Sequence, residues 1–315
     1  MINKLQYIPI PINGLILALF SVAKLQFSFH VDWLAYMMIT LGSIFLVGML
    51  CKIFFTPSHI FHDLQNPMIA AVSPTFPMAT MVFCSFFMEQ SIFWSIIWGI
   101  AAIVHISLMV YFIYRFVLQS KVTMIHIYPS WFITYIGMAI IPLTAGSLVP
   151  LISTVIFWIS IVFYLILLPL VFIRIFVMRD LEMAALPLIT ILCAPGSLLL
   201  AAYLAHFETK SVNFVWALLI LSQALYVSVL WQLPKLLRLS FYPSYAAFTF
   251  PLVICATALT NTLKYLGYNG TAGHTLSIME TIIASAMVMY VAIRYSIFLI
   301  TQMRPKQQVV QSQAM

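Results

Sequence analysis

Few residues in this chain could do chemistry, and they are scattered. His59, His62 and Asp63 stand at i, i+3 and i+4, which brings three metal-ligating types to one side of a helical turn. They lie in a connecting stretch with no fourth ligand, so no metal centre is expected. Asp180 and Glu182 flank Arg179 and read as solvated loop charges. His105 and Gln223 sit deep in apolar runs and read as interhelical hydrogen-bonding groups. Glu280 and Arg294 share the last apolar run near opposite ends, where long side chains reach the interfaces. No paired carboxylates, Ser/His/Asp set or HExxH sequence occurs, so an enzyme is not expected, and neither is a cofactor. Cys51, Cys84, Cys193 and Cys255 are far apart, with no CxxC, and read as small reduced hydrophobes.

The elements that must carry these residues follow from composition. Of 315 residues, 64% are apolar and 7% charged, with 14 basic and 7 acidic side chains. A soluble domain carries about 25% charge. A soluble enzyme, a nucleic-acid-binding module and a disordered chain are thereby excluded, and a polytopic membrane protein remains. A helical span takes about 20 apolar residues. Apolar runs give ten, at 8–27, 33–55, 74–88, 91–118, 129–147, 150–177, 186–206, 213–233, 243–264 and 275–300. The first lacks an A-x-A-like exit and is read as a span, not a signal peptide. Residues 1–303 form one transmembrane domain, and 304–315 a short polar cytoplasmic tail.

Basic residues supply a topology. With a cytoplasmic N-terminus, the inner side holds Lys4, Lys52, Arg115, Lys121, Arg174, Arg179, Lys235, Arg238, Arg294, Arg304 and Lys306. The outer side holds only Lys24, Lys210 and Lys264. This is a strong positive-inside bias, with both termini cytoplasmic.

Every odd-numbered span contains proline, and one recurs at Pro11, Pro77, Pro142, Pro195 and Pro251. Proline removes an N–H and kinks the helix, which leaves a carbonyl unpaired. Lipid cannot satisfy such a group, so kinked spans belong inside. The expected fold is all-α: five helical hairpins, with an inner ring of odd helices around a central pore and an outer ring of even helices. The odd spans contain no acidic or basic residue in their interiors. Their pore-lining polar groups are expected to be Asn13, Thr80, Thr134, Thr144, Thr190, Thr249 and Thr257. Without an intramembrane carboxylate there is no site for cation coordination or proton relay. Hydroxyls and half-helix N–H groups solvate an anion weakly, which suits passage. A small neutral solute would also pass such a lumen.

Three stretches carry a family resemblance: Pro-Ile-Asn-Gly-Leu-Ile-Leu-Ala-Leu (11–19), Ser-Pro-Thr-Phe-Pro-Met-Ala-Thr (73–80) and Ala-Phe-Thr-Phe-Pro-Leu (247–252). With ten spans in this length, the chain resembles the tellurite-resistance/dicarboxylate transporter (TDT) family, which includes bacterial TehA and the plant slow anion channels. The resemblance implies a homotrimer with one pore per subunit. It also implies a phenylalanine gate before the proline of the ninth span: Phe250, with Phe248 the nearby competitor. The expected function is a plasma-membrane anion channel or passive transporter for inorganic anions, C4-dicarboxylates or similar organic acids. Its partners are then small anions and membrane lipid, with no nucleic acid. The alternative is a proton-coupled carrier exporting an organic acid or a toxic oxyanion such as tellurite, with His105 or Glu280 carrying the proton.

Overall fold

The computed structural model describes residues 2–120, 122–268 and 270–303. The tail 304–315, with Arg304 and Lys306, lies outside the described residues, as does Lys121. The regular structure of the described residues is all helix, without strands. Among the described residues, eight helices are long and apolar enough to cross a membrane. They are α2 (Asp32–Phe55), α3 (Pro67–Cys84), α4 (Ile92–Leu118), α6 (Pro150–Met178), α7 (Leu186–His206), α8 (Val212–Leu236), α9 (Pro243–Tyr265) and α10 (Thr271–Met303). Ahead of them runs a shorter apolar helix, α1 (Ile12–Ser28). Between α4 and α6, a segment α5 (131–144) consists of three short helical pieces.

Helix starts follow local chemistry. The Asn66 side chain accepts from the N–H of Met68 (2.9 Å) and Ile69 (3.2 Å), and Pro67 occupies the first position. So α3 begins at 67, not at 74 as hydropathy alone suggests, and residues 85–90 turn away from it. Ser91 and Ser211 cap α4 and α8 in the same way. Gly146 takes φ +55 in the turn between α5 and α6, a conformation open to glycine at little cost.

The odd and even segments differ in burial. Of the most apolar stretch in each, 89% is buried in α7 and 78% in α9, against 22% in α4 and 28% in α6. Most of α1 and α5 is buried too. The even segments expose rows of large apolar side chains: Ile96, Ile100 and Ile103 on α4; Val162 and Leu165 on α6; Ile220, Val227 and Trp231 on α8. Apolar surface on this scale is lipid-facing surface, and the chain is a multi-pass membrane protein.

Close approach of α1 and α2 requires a glycine. A Cβ on Gly42 would lie 2.8 Å from the Phe20 ring, and Phe20 is itself fully buried. Two even helices, α4 and α6, each end in a π-helical turn, at Ile113–Leu118 and Ile173–Met178. Arg174 on the second of these is buried and pairs with Asp180, while its guanidinium also donates to Ile125 C=O (3.3 Å). Asp180 is therefore an ion-pair partner and not a free loop charge.

Candidate functional site

The prolines of the odd segments start helices instead of bending them. Pro187 and Pro195 stand in the first turns of the two pieces of α7, the 3-10 stretch Leu186–Cys193 and the α-helix Ala194–His206. Pro243 and Pro251 do the same for Pro243–Phe248 and Phe250–Tyr265 in α9. Pro11 immediately precedes α1, and Pro74 the second piece of α3. A first-turn proline lacks an N–H that would have had no helical partner anyway. The kink expected at Pro195 and Pro251 is thus a break followed by a restart, whereas Pro77 and Pro142 lie within the first turns of Thr75–Cys84 and Ile140–Thr144.

Threonine hydroxyls bond to backbone carbonyls in and beside the broken segments. The Thr190 hydroxyl lies 2.5 Å from Ala247 C=O and 2.8 Å from Pro187 C=O, which ties α7 to α9. Thr249 donates to Ala246 C=O (2.6 Å), with Gly14 C=O of α1 at 3.3 Å. Thr134 donates to Ala71 C=O (3.0 Å), and Thr144 to Ile140 C=O (2.7 Å) while accepting from Trp98 Nε1 (2.9 Å). Thr190→Val leaves Ala247 C=O without this partner and is expected to lower stability by about 1–3 kcal/mol. Thr190→Ser should retain it. Thermal inactivation of the two variants in detergent decides.

The starts of all five odd segments line one cavity of about 290 Å³. Its wall includes Pro11, Gly14 and Leu17 of α1, Thr75 and Met78 of α3, Ile136 and Gly137 of α5, Ile191 and Pro195 of α7, and Phe250 and Pro251 of α9. Phe250 borders the cavity and is 8% exposed, whereas Phe248 is fully buried against the Tyr245 ring at 4.9 Å. Three of the five recurring prolines, Pro11, Pro195 and Pro251, reach the wall, while Pro77 and Pro142 do not.

The seven expected pore-lining polar residues are not on this wall. Thr134, Thr144, Thr190 and Thr249 are buried with their hydroxyls on carbonyls, as above. Thr80 and Thr257 are half-buried, bonded to the carbonyls one turn back. Asn13 is fully buried, and its amide finds no hydrogen-bond partner. The polar wall groups are instead Gln6, Tyr7, Thr75, Tyr242 and Ser244, with two charged side chains, Lys52 and Asp63. Lys52 Nζ donates to Asp63 Oδ2 (2.8 Å) and to Ile8 C=O (2.7 Å). Asp63 thus serves an ammonium, and His59 and His62 stay exposed, with no metal-binding group of His, Cys, Asp or Glu among the described residues. A lysine inside the apolar run Leu50–Phe54, followed by an aspartate eleven residues later, is the sequence signal for this pair.

The other ionisable groups stand apart from the cavity. His105 reaches inward from α4 and packs behind Gly137, where a Cβ would lie 3.2 Å from the imidazole and 2.9 Å from Met78 Sδ. The imidazole faces the backbone at Thr134 of α5 and Pro74 of α3, the interhelical partners on offer, without a hydrogen bond of good geometry to either. Glu280 is buried on α10 beside Gln223 and does not reach an interface. Arg294 lies over the rings of Phe241, Tyr245 and Tyr290.

The SLAC1 family model, described as voltage-dependent anion channel, matches residues 12–295. No curated protein matches the chain.

Proposed function

Since the chain belongs to the SLAC1 family of voltage-dependent anion channels, we propose that it passes small anions through the cavity at the starts of the odd segments, with Phe250 as its gate. All ten segments cross the membrane in this reading, as five hairpins with both termini in the cytoplasm. The packing of α1 on α2, α3 on α4 and α9 on α10 supports it, as does the eleven-to-three distribution of basic residues. The membrane is then the plasma membrane, the cavity opens to the cytoplasm, and residues 1–303 act as one domain. A homotrimer with one pore per subunit follows from the family resemblance.

One observation carries the proposal: five helix starts converge on a single cavity whose wall includes Phe250. Helix starts present positive dipole ends and unpaired N–H groups, which favour an anion over a cation. The odd segments add no carboxylate to oppose it. An apolar ring at a narrow point stops ions by refusing to replace their water.

Chloride, nitrate and malate flux into liposomes tests this. Each is expected to pass through the Phe250→Ala protein, and their ratio identifies whether inorganic anions or C4-dicarboxylates are preferred. No anion flux in either the wild-type or the variant protein refutes the channel. The coupled-carrier alternative needs His105 or Glu280 in contact with the path, and neither borders the cavity. Uptake that follows a pH gradient and is lost in His105→Ala would revive it.

A further inference from the structure

We propose that Asp63 controls access of anions to the cavity by masking Lys52, whose ammonium is the anion-binding group of the cavity mouth. This rests on the channel reading above and adds a residue pair that sets its charge preference.

The two groups are the only charged side chains on the cavity wall among the described residues, and they come from outside the odd segments. Lys52 closes the last turns of α2, and Asp63 ends the short helix Pro57–Asp63. An ammonium has three donors. Two are taken, by Ile8 C=O and Asp63 Oδ2, which leaves the third for a ligand in the cavity.

The pair is unequal in exposure. The Lys52 side chain is 1% exposed and that of Asp63 29%. A buried ammonium held by one neutral carbonyl is an anion site in waiting, because burial strengthens its field. The carboxylate beside it cancels that charge and turns negative charge toward the solvent. An arriving anion therefore meets a net neutral pair with its acidic member outermost. Ile8 ties the same ammonium to the chain just ahead of α1, so the pair also fixes the rim against which Pro9 and Pro11 stand.

Asp63→Asn removes the mask and keeps the size. Anion binding is read first, without transport, as the rise in thermal midpoint of detergent-solubilised protein with added chloride or malate. Asp63→Asn is expected to gain a stabilisation that saturates with anion. Wild type and Asp63→Glu should show little, and Asp63→Asn/Lys52→Gln none. Midpoints without added anion report whether each variant is folded.

Selectivity is read second, from the reversal potential of Phe250→Ala channels across a chloride gradient. Adding Asp63→Asn is expected to raise the chloride-to-potassium permeability ratio roughly three- to tenfold at about 0.01 M salt. At about 1 M salt, where charges are screened beyond about 3 Å, most of that gain should vanish. Asp63→Asn protein that matches its parent in both readouts overturns the proposal. If Phe250→Ala passes anions and Asp63→Asn changes nothing, only the masking fails. If Asp63→Asn binds anions but no variant conducts, the channel reading fails and the site stands.

Discussion

Phe250→Ala is expected to raise anion flux about tenfold or more, the equivalent of about 1.4 kcal/mol or more off the barrier. The ring borders the cavity and is held from behind. Pro251 fixes the backbone at the next residue, and Thr249 is bonded to Ala246 C=O with Gly14 C=O within reach. The ring is thus attached to the restart of α9 at the cavity wall, where the proposed gate places it. Truncation to alanine takes the ring off the cavity wall without removing any of those bonds. Phe248→Ala is the contrasting experiment. That ring is fully buried against Tyr245 and absent from the cavity wall, so its loss should cost about 3–5 kcal/mol of stability with no gain in flux. Flux from liposomes and thermal inactivation in detergent, measured on both variants, separate a gate from a core residue. Equal flux in wild type and Phe250→Ala would remove Phe250 from the path.

Gly42→Ala is expected to destabilise the protein by about 1–3 kcal/mol, although it adds one methyl group. The new Cβ would meet the Phe20 ring at 2.8 Å. Phe20 has no room to withdraw, since it is fully buried and packs on Phe83 at 4.9 Å. In a bilayer, helices gain little from apolar contact alone and depend on close fit, which small residues permit. The clash must therefore push α2 from α1. A fall in thermal midpoint of several degrees is expected, with Phe20→Leu restoring part of it in the double variant. An unchanged midpoint would show that the two helices separate freely.

What the sequence made legible was set by physical scale. Hydropathy runs and proline recurrence involve whole segments, so the helical fold and the burial of the odd segments were readable from them. Resemblance singled out residue 250 beside Pro251, and that residue borders the cavity. What escaped depended on single hydrogen bonds. Thr134, Thr144, Thr190 and Thr249 looked like a polar lining, since a hydroxyl in a span must find a partner and a pore offers water. Backbone carbonyls are the competing partner, and nothing in the local sequence reveals which one a hydroxyl meets. Lys52 and Asp63 were each assigned to another group, one to the basic residues of the inner side and the other to a histidine pair. Their meeting depends on the turn at Thr56, where the chain reverses from α2 into Pro57–Asp63. Helix boundaries shifted for the same reason: Asn66 and Pro67 start α3 by capping, a short-range effect that an apolar average smooths away.

The three-piece character of α5 bears on how the protein is made. A segment divided into Trp131–Tyr135, Gly137–Ala139 and Ile140–Thr144 leaves backbone groups that hydrocarbon cannot satisfy. Side chains tie it to its neighbours: the Thr134 hydroxyl donates to Ala71 C=O of α3, and the Thr144 hydroxyl accepts from Trp98 Nε1 of α4. Both partners precede it in the chain. Synthesis from the N-terminus therefore delivers α3 and α4 before α5 needs them, and the order of the segments doubles as an order of assembly.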